Sequence, residues 1–270
     1  MSKRNSTAGK EYITNAPVPE KTDTYTTLEH ALVISTTLDQ LAINGFMVHK
    51  ELYKCSMNAQ VAQGIYYLKY GNDPDMGMMF TWSNSYDKSL RFRCAMGGFV
   101  HASGNGVISG DMSSWGRKHT GVADVEMIST IQEQVRRAER HFCRVVADKD
   151  AMKETTVSLT RRAEIVGKLF IEHGVLNTEQ MSVIRDQIHN PKFDYKADPE
   201  SLWVFFNDIL YAMQRCHPKD WMSRHMAIHY FLTTEFGIDN AHLSNLVDKT
   251  TPGYQLTIDD ALEEVSHVTK

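Results

Sequence analysis

Residues 76–111 read MGMMFTWSNSYDKSLRFRCAMGGFVHASGNGVISGD, and residues 122–148, shortly after, read VADVEMISTIQEQVRRAERHFCRVVAD. The two stretches have different periods. In the first, short apolar runs are separated by Asn, Asp, Lys, Ser and Gly, the texture of strands joined by turns. In the second, Val125, Ile128, Ile131, Val135, Ala138, Phe142 and Val145 recur every three or four positions. That spacing predicts one long amphipathic helix over about 122 to 148. A sheet that gives way to a helix lying across it decides the fold class.

Upstream, the β texture extends back through Met47 to Lys54 and Ala59 to Tyr70, and within the quoted block it covers Met76 to Ser83, Leu90 to Ala95 and Phe99 to His101. Short strands in sequence order predict an antiparallel meander. Ahead of it, Ala31 to Ile34 is a β-prone run, and Ser35 or Thr36 caps a helix carrying Leu38, Leu41 and Ala42 that ends at Asn44-Gly45. Residues 1–26 are polar, hold Pro17 and Pro19, show no periodicity and read as a flexible arm. Downstream, helices are expected over about 158–173 (ended by Gly174), 178–189 (opened by Asn177, closed before Pro191) and 199–216 (Asp198 cap, Pro199 first). Two more are expected over 219–236, stopping at Gly237, and 258–267, where Thr257 and Asp260 have capping-box spacing. The expected plan is α+β: an antiparallel meander sheet covered by a long helix, then an all-helical C-terminal half. The divisions are an arm at 1–26, a core at 27–150 and a helical region at 151–270.

Of 270 residues, 42% are hydrophobic and 10% aromatic, too many for a disordered chain, and no run approaches the roughly 18 apolar residues of a membrane span. Lys3 and Arg4 are not followed by an apolar stretch, so no secretory signal is read and a cytoplasmic location, in a bacterial host, is expected. Cys55, Cys94, Cys143 and Cys216 are too far apart for close Cys-x-x-Cys pairs, and reduced thiols are expected. A net charge of −4 argues against coating nucleic acid through bulk positive charge and directs attention to a local basic face.

The densest polar cluster is Asn84 to Ser89, between apolar strands. Its plain reading is that Asn84 and Asp87 satisfy backbone amides in hairpin turns while nearby glycines supply positive φ. Gly104-x-Gly106-x-x-x-Gly110 lacks the Lys-Ser/Thr pair of a P-loop. His225 and His229 lie one helical turn apart, but Met226-Ala227-Ile228 stands between them where a zinc protease needs Glu; partly buried packing residues are expected and no metal. Asp73 with Asp75, and Asp259 with Asp260, sit in loop and helix-start contexts that solvation or capping explains. No Gly-x-Ser-x-Gly elbow or Cys/His signature is present, so nothing nominates an enzyme or a cofactor. Trp203, Phe205, Phe206, Trp221, Tyr230 and Phe231 read as the core of the second half, with an oligomer interface as the alternative.

Between residues 84 and 144, nine basic residues face six acidic ones. Arg137, Arg140 and Arg144 share a helical face opposite the apolar stripe, and Arg91 and Arg93 alternate along one strand. With Lys118 they form a candidate phosphate-contacting set. Tyr66, Tyr67, Tyr70, Phe80, Trp82, Tyr86 and Phe92 are aromatics of the same sheet and candidates to stack bases. The competing reading makes the aromatics core and the arginines a solvated face, with Glu133 placed to pair Arg137.

The block from Asn84 to Asp111 resembles the hallmark of the domain of unknown function 932, a family of phage, plasmid and laterally transferred bacterial genes. Its pattern of Asn-Ser-His-Asp-Gly-Ser, a Gly-x-Phe-Arg strand, then Cys-x-Asn-Gly and a further Gly matches Asn84, Ser85, Asp87, Ser89, Gly97, Phe99, Asn105, Gly106 and Gly110. It departs at Tyr86, Lys88, Val100 and Ser103. Looser likeness reaches Thr36, Gly45-Phe46, Lys118-His119-Thr120-Gly121, Ser201-Leu202-Trp203 and Asn207. The family is assigned no activity; the resemblance implies a bacteriophage or other mobile-genetic-element origin. The element order is also similar to single-strand annealing proteins of the RecT and Red-beta type, which implies single-stranded DNA held between sheet and helix by a homo-oligomer, in DNA recombination. The leading expectation is therefore a non-enzymatic protein that binds single-stranded DNA. A second is a protein that blocks a host defence or regulatory protein, and a third a hydrolase acting through Asn84 to Asp87 and His119, which requires those groups to converge.

Overall fold

A computed structural model describes residues 6–7, 9–20, 27–109, 115–117 and 123–238. The apolar runs form a sheet of β1 (Ser6–Thr7), β2 (Met47–Cys55), β3 (Val61–Lys69), β4 (Met76–Ser85), β5 (Phe92–Val100), β6 (Gly106–Val107) and β7 (Trp115–Arg117). The order is β1-β2-β3-β4-β5-β6, with β7 also on β5, and every pairing is antiparallel. The meander is therefore as expected, with one difference: Leu90 to Ala95 and Phe99 to His101 are parts of a single strand. Gly97 and Gly98 mark close approach there, for a Cβ on Gly97 would strike the Val107 carbonyl oxygen and one on Gly98 the Met76 methyl.

Side chains alternate, so the register assigns two faces. Gly64, Trp82 and Cys94 align across β3, β4 and β5, as do Gln63, Ser83 and Arg93 one position away. The first face carries Tyr66, Met78, Phe80, Trp82, Phe92 and Met96. The second is mixed, with Gln63, Thr81, Ser83 and Arg93 toward one end and Ile65, Tyr67, Met79 and Phe99 toward the other. Both are covered, since β4 and β5 are buried along their whole length.

On the first face lie α2 (His30–Ile43), α3 (Ala123–Arg136) and α4 (Ala138–Glu154). Ala31 to Ile34, expected as a strand, is the first turn of α2. The β-branched pair Val33-Ile34 is buried against the sheet, and that packing overrides strand propensity. The long helix also divides: Arg137 leaves helical geometry at φ −95° and ψ 5°, although its N–H still reaches the Glu133 carbonyl at 3.2 Å.

The second face is covered by α8 (Pro218–Glu235), joined to the rest by α5 (Leu159–Gly167, continued by a π-helical turn Lys168–Glu172), α6 (Thr178–His189) and α7 (Leu202–Met213). Asn177 and Gln180 close a reciprocal capping box on α6, as its sequence predicts. α7 starts later than expected. Ser201, not Asp198, is its cap, because Asp198 is used in the preceding turn, accepting from the Glu200 amide at 2.7 Å. Trp203, Phe205, Phe206 and Trp221 are buried in this half, which makes them core, whereas Tyr230 is 36% exposed and Phe231 only half-buried.

One continuous hydrophobic cluster runs through both halves, and position 150, read as a boundary, falls inside α4. The stretch read as a flexible arm is docked over residues 9–20. There α1 (Lys10–Thr14) buries Ile13, and the Tyr12 hydroxyl donates to the Met57 carbonyl at 2.6 Å. The helix expected over 258–267, with Thr257 and Asp260, lies outside the described residues.

Candidate functional site

The polar block divides into structural joints. Asn84 lies in β4 on the first face, fully buried, and its amide donates to the Leu28 carbonyl at 2.8 Å and to His30 Nδ1 at 2.9 Å. His30 Nε2 in turn donates to the Ala59 carbonyl at 3.0 Å, which fixes a neutral tautomer with Nδ1 as acceptor. The Tyr86 ring stacks on His30 at 3.8 Å and its hydroxyl accepts from the His30 amide at 2.8 Å. Burial raises the pKa of that hydroxyl, which stays protonated. Asn84 thus pins the start of α2 to the sheet, and of the two residues read as satisfying turn amides only Asp87 does so, accepting from the Ser89 amide at 3.0 Å. Ser85 closes the same hairpin through both backbone groups of Leu90, at 3.0 and 3.2 Å.

The second half of the block is a socket for the helices. The Asn105 amide donates to the Asn207 carbonyl and to its side-chain oxygen, both at 3.1 Å, while Asn105 Oδ1 accepts from Gln214 at 2.8 Å. His225 Nδ1 donates to the Gly106 carbonyl at 2.9 Å, and a Cβ on Gly106 would lie 2.7 Å from the Trp221 ring. Burial pushes the His225 imidazole down to about 3, so it is neutral. His229 points elsewhere, with Nε2 3.1 Å from Asp148 Oδ2. The two histidines are fully rather than partly buried and serve different partners. No group of three or more His, Cys, Asp or Glu among the described residues is placed to hold a metal. Gly110, Lys118 and His119 lie outside the described residues.

The arginines read as one contact set fall into two groups. Arg93 is 2% exposed on the second face, near Arg91 and Asp220; burial and then Arg91 push its guanidinium down to about 10. Its register partner Ser83 contacts the start of α8, at 3.4 Å from the Pro218 carbonyl. Gly98, on the opposite face, meets Val145 of α4. Arg93 therefore drops out of any phosphate-contacting surface, and Arg91 beside it stands apart from the α4 arginines. Arg137, Arg140 and Arg144 do come together. All three surround the His141 ring, whose pKa is pushed down to about 4 by burial first and then by these three charges. Arg137 and Arg136 share Glu133, at 2.6 and 2.7 Å, and Arg140 is exposed.

Most of the sheet aromatics are core: Tyr66, Phe80, Trp82 and Phe92 are 1% exposed or less and present no ring to a base. Tyr70 is half-buried, edge-on to Phe142 of α4 at 6.0 Å.

At the same end of the sheet a pocket of about 540 Å³ opens between His49, Lys69, Tyr70, Gly77, Phe99 and His101. Its deciding feature was invisible in sequence: the register slips between Val48 and Lys50, and this bulge leaves His49 outside the ladder, 6.2 Å from both the Tyr67 and Phe99 rings. No protein-family model, curated protein or solved structure matches the chain.

Proposed function

We propose that this chain binds single-stranded DNA and serves the DNA metabolism of a phage or plasmid. The observation that carries the reading is the gathering of Arg137, Arg140 and Arg144 near one half-buried imidazole, His141, at the α3–α4 break. Glu133 already pairs Arg137, and exposed Arg140 on the next turn is the charge best placed to meet a phosphate oxygen.

The test is fluorescence polarisation with a labelled single-stranded oligonucleotide over a salt series, comparing the native chain with Arg140→Ala/Arg144→Ala. Three phosphate contacts predict a slope of log affinity against log salt of about −2, and losing two of them a slope of about −0.7. Absence of binding at low salt, or an unchanged slope in the variant, refutes the reading. A second reading, capture of a host protein, is favoured by the exposure of Ile43 (75%) and Met47 (61%) on either side of the α2–β2 turn. It predicts an oligonucleotide signal close to zero and a partner whose binding is lost in Ile43→Asp.

A further inference from the structure

The pocket at the end of the sheet is built from three separate departures from regular structure. Gly77 pairs with Phe99 across the β4–β5 ladder, and any side chain on Gly77 would strike the Phe99 ring, which therefore lies down on bare backbone. The β2 bulge turns His49 toward the same ring. Beyond the end of β5, His101 meets Phe99 edge-on at 5.2 Å, its amide held by the Asp75 carbonyl at 2.8 Å. Two exposed imidazoles thus flank one aromatic ring. Exposed Lys69 stands in the wall, and exposed Lys50 lies just beyond the lining, its Nζ 5.4 Å over the Tyr67 ring that meets Phe99 edge-on at 4.5 Å.

The lining itself holds no carboxylate: Glu139 of α4 reaches it only through a hydrogen bond with the Tyr70 side chain, Glu51 beside Lys50 is paired with Lys10, and Asp73 and Asp75 are engaged by Lys149 and Lys153. Rings with basic groups and no acid select a ligand that is both aromatic and anionic.

We infer that this pocket is a nucleotide site, taking one nucleoside 5′-monophosphate unit with its base against His49, Phe99 and His101 and its phosphate on Lys50 and Lys69. The volume lies within the roughly 300–1,000 Å³ of small-molecule sites. The unit comes either from a free mononucleotide or from a single strand. None of the α4 arginines lines this site, although its wall meets α4 through Tyr70 and Phe142.

The experiment is calorimetric titration of the full chain with AMP, adenosine and inorganic phosphate, together with polarisation of labelled (dA)12. The variants are His49→Ala/Lys69→Ala, two exposed positions whose fold is checked by melting, and Arg140→Ala/Arg144→Ala. AMP is expected to bind about tenfold more tightly than adenosine or phosphate, and to lose about tenfold in the pocket variant while keeping its affinity in the arginine variant. A parallel loss of (dA)12 binding in the pocket variant identifies a strand as the source; retention of it identifies a free nucleotide. Absence of AMP binding, or AMP binding indifferent to the pocket variant, overturns the site. AMP binding retained with no binding of (dA)12 refutes the proposed function and leaves this site standing.

Discussion

Replacing Lys149 with methionine keeps the aliphatic stem and removes one charge from the junction of α4 with the β3–β4 turn. Lys149 is 3% exposed, and its Nζ lies 2.6 Å from Asp73 and 3.2 Å from each of Asp75 and Asp150. Removing one partner of a buried pair costs about 3–5 kcal/mol, because the other charge is left desolvated. Here part of that cost is offset. Asp73 keeps the amides of Asp75 and Met76, at 3.0 and 2.9 Å, and Asp75 keeps Lys153 at 2.6 Å. Asp150 is 65% exposed and adds little. The expected loss is therefore about 2–3 kcal/mol near neutral pH. Burial alone would raise the Asp73 pKa, but the Lys149 and backbone hydrogen bonds outweigh it and hold the carboxyl below its usual range. Its stabilisation is thus complete above the unfolded carboxylate pKa of about 3.9 and is lost as pH falls through the lower folded value. Urea denaturation followed by tryptophan fluorescence, near pH 7 and again near pH 3, should show native chain and variant converging at the acidic end. A variant within about 0.5 kcal/mol of the native chain near pH 7, or a gap that does not narrow in acid, refutes this account.

Three further substitutions probe the joints. Asn84→Ala strands the Leu28 carbonyl and His30 Nδ1 in the core and is expected to cost about 2–3 kcal/mol, seen as a lowered melting temperature. Arg93→Met should lower stability yet leave oligonucleotide affinity per folded molecule unchanged, since Arg93 faces α8; a weakened affinity with an intact fold would contradict its placement. Gly106→Ala should drive a methyl into the Trp221 ring at a cost of about 1–3 kcal/mol, and hydrogen exchange should show α7 and α8 loosening before the sheet.

How much of this was legible in the sequence depends on whether local or distant partners decide a residue's role. The α6 boundaries were readable because Asn177 and Gln180 cap the helix within one turn. The meander was readable because its strands pair in sequence order. Ala31 to Ile34 misled because the sheet below α2, not the run itself, decides its conformation. The arginines misled for a related reason: Arg91, Arg93 and Arg137 are all basic in one segment, and only the strand register shows that Arg93 and the α4 group lie on opposite sides of the sheet. Asn105 and Gly106 looked like turn residues, and their partners Asn207 and His225 stand 102 and 119 positions away. The His49 bulge leaves no mark in composition, because any residue type can occupy it.

Those long separations bear on how the chain is made. A ribosome releases β3, β4 and β5 well before α8: Ser83 precedes its contact at Pro218 by 135 residues, and Lys54 precedes the Gln214 carbonyl it donates to by 160. At about 5–20 residues per second, the second face of the sheet waits roughly ten seconds in water before its cover arrives. Gln63, Thr81, Ser83 and Arg93 make one end of that face less prone to stick to its neighbours than a face exposing Phe80 and Trp82, while Ile65, Tyr67, Met79 and Phe99 leave its other end apolar. The apolar face, by contrast, can be closed first by α2, which has already emerged.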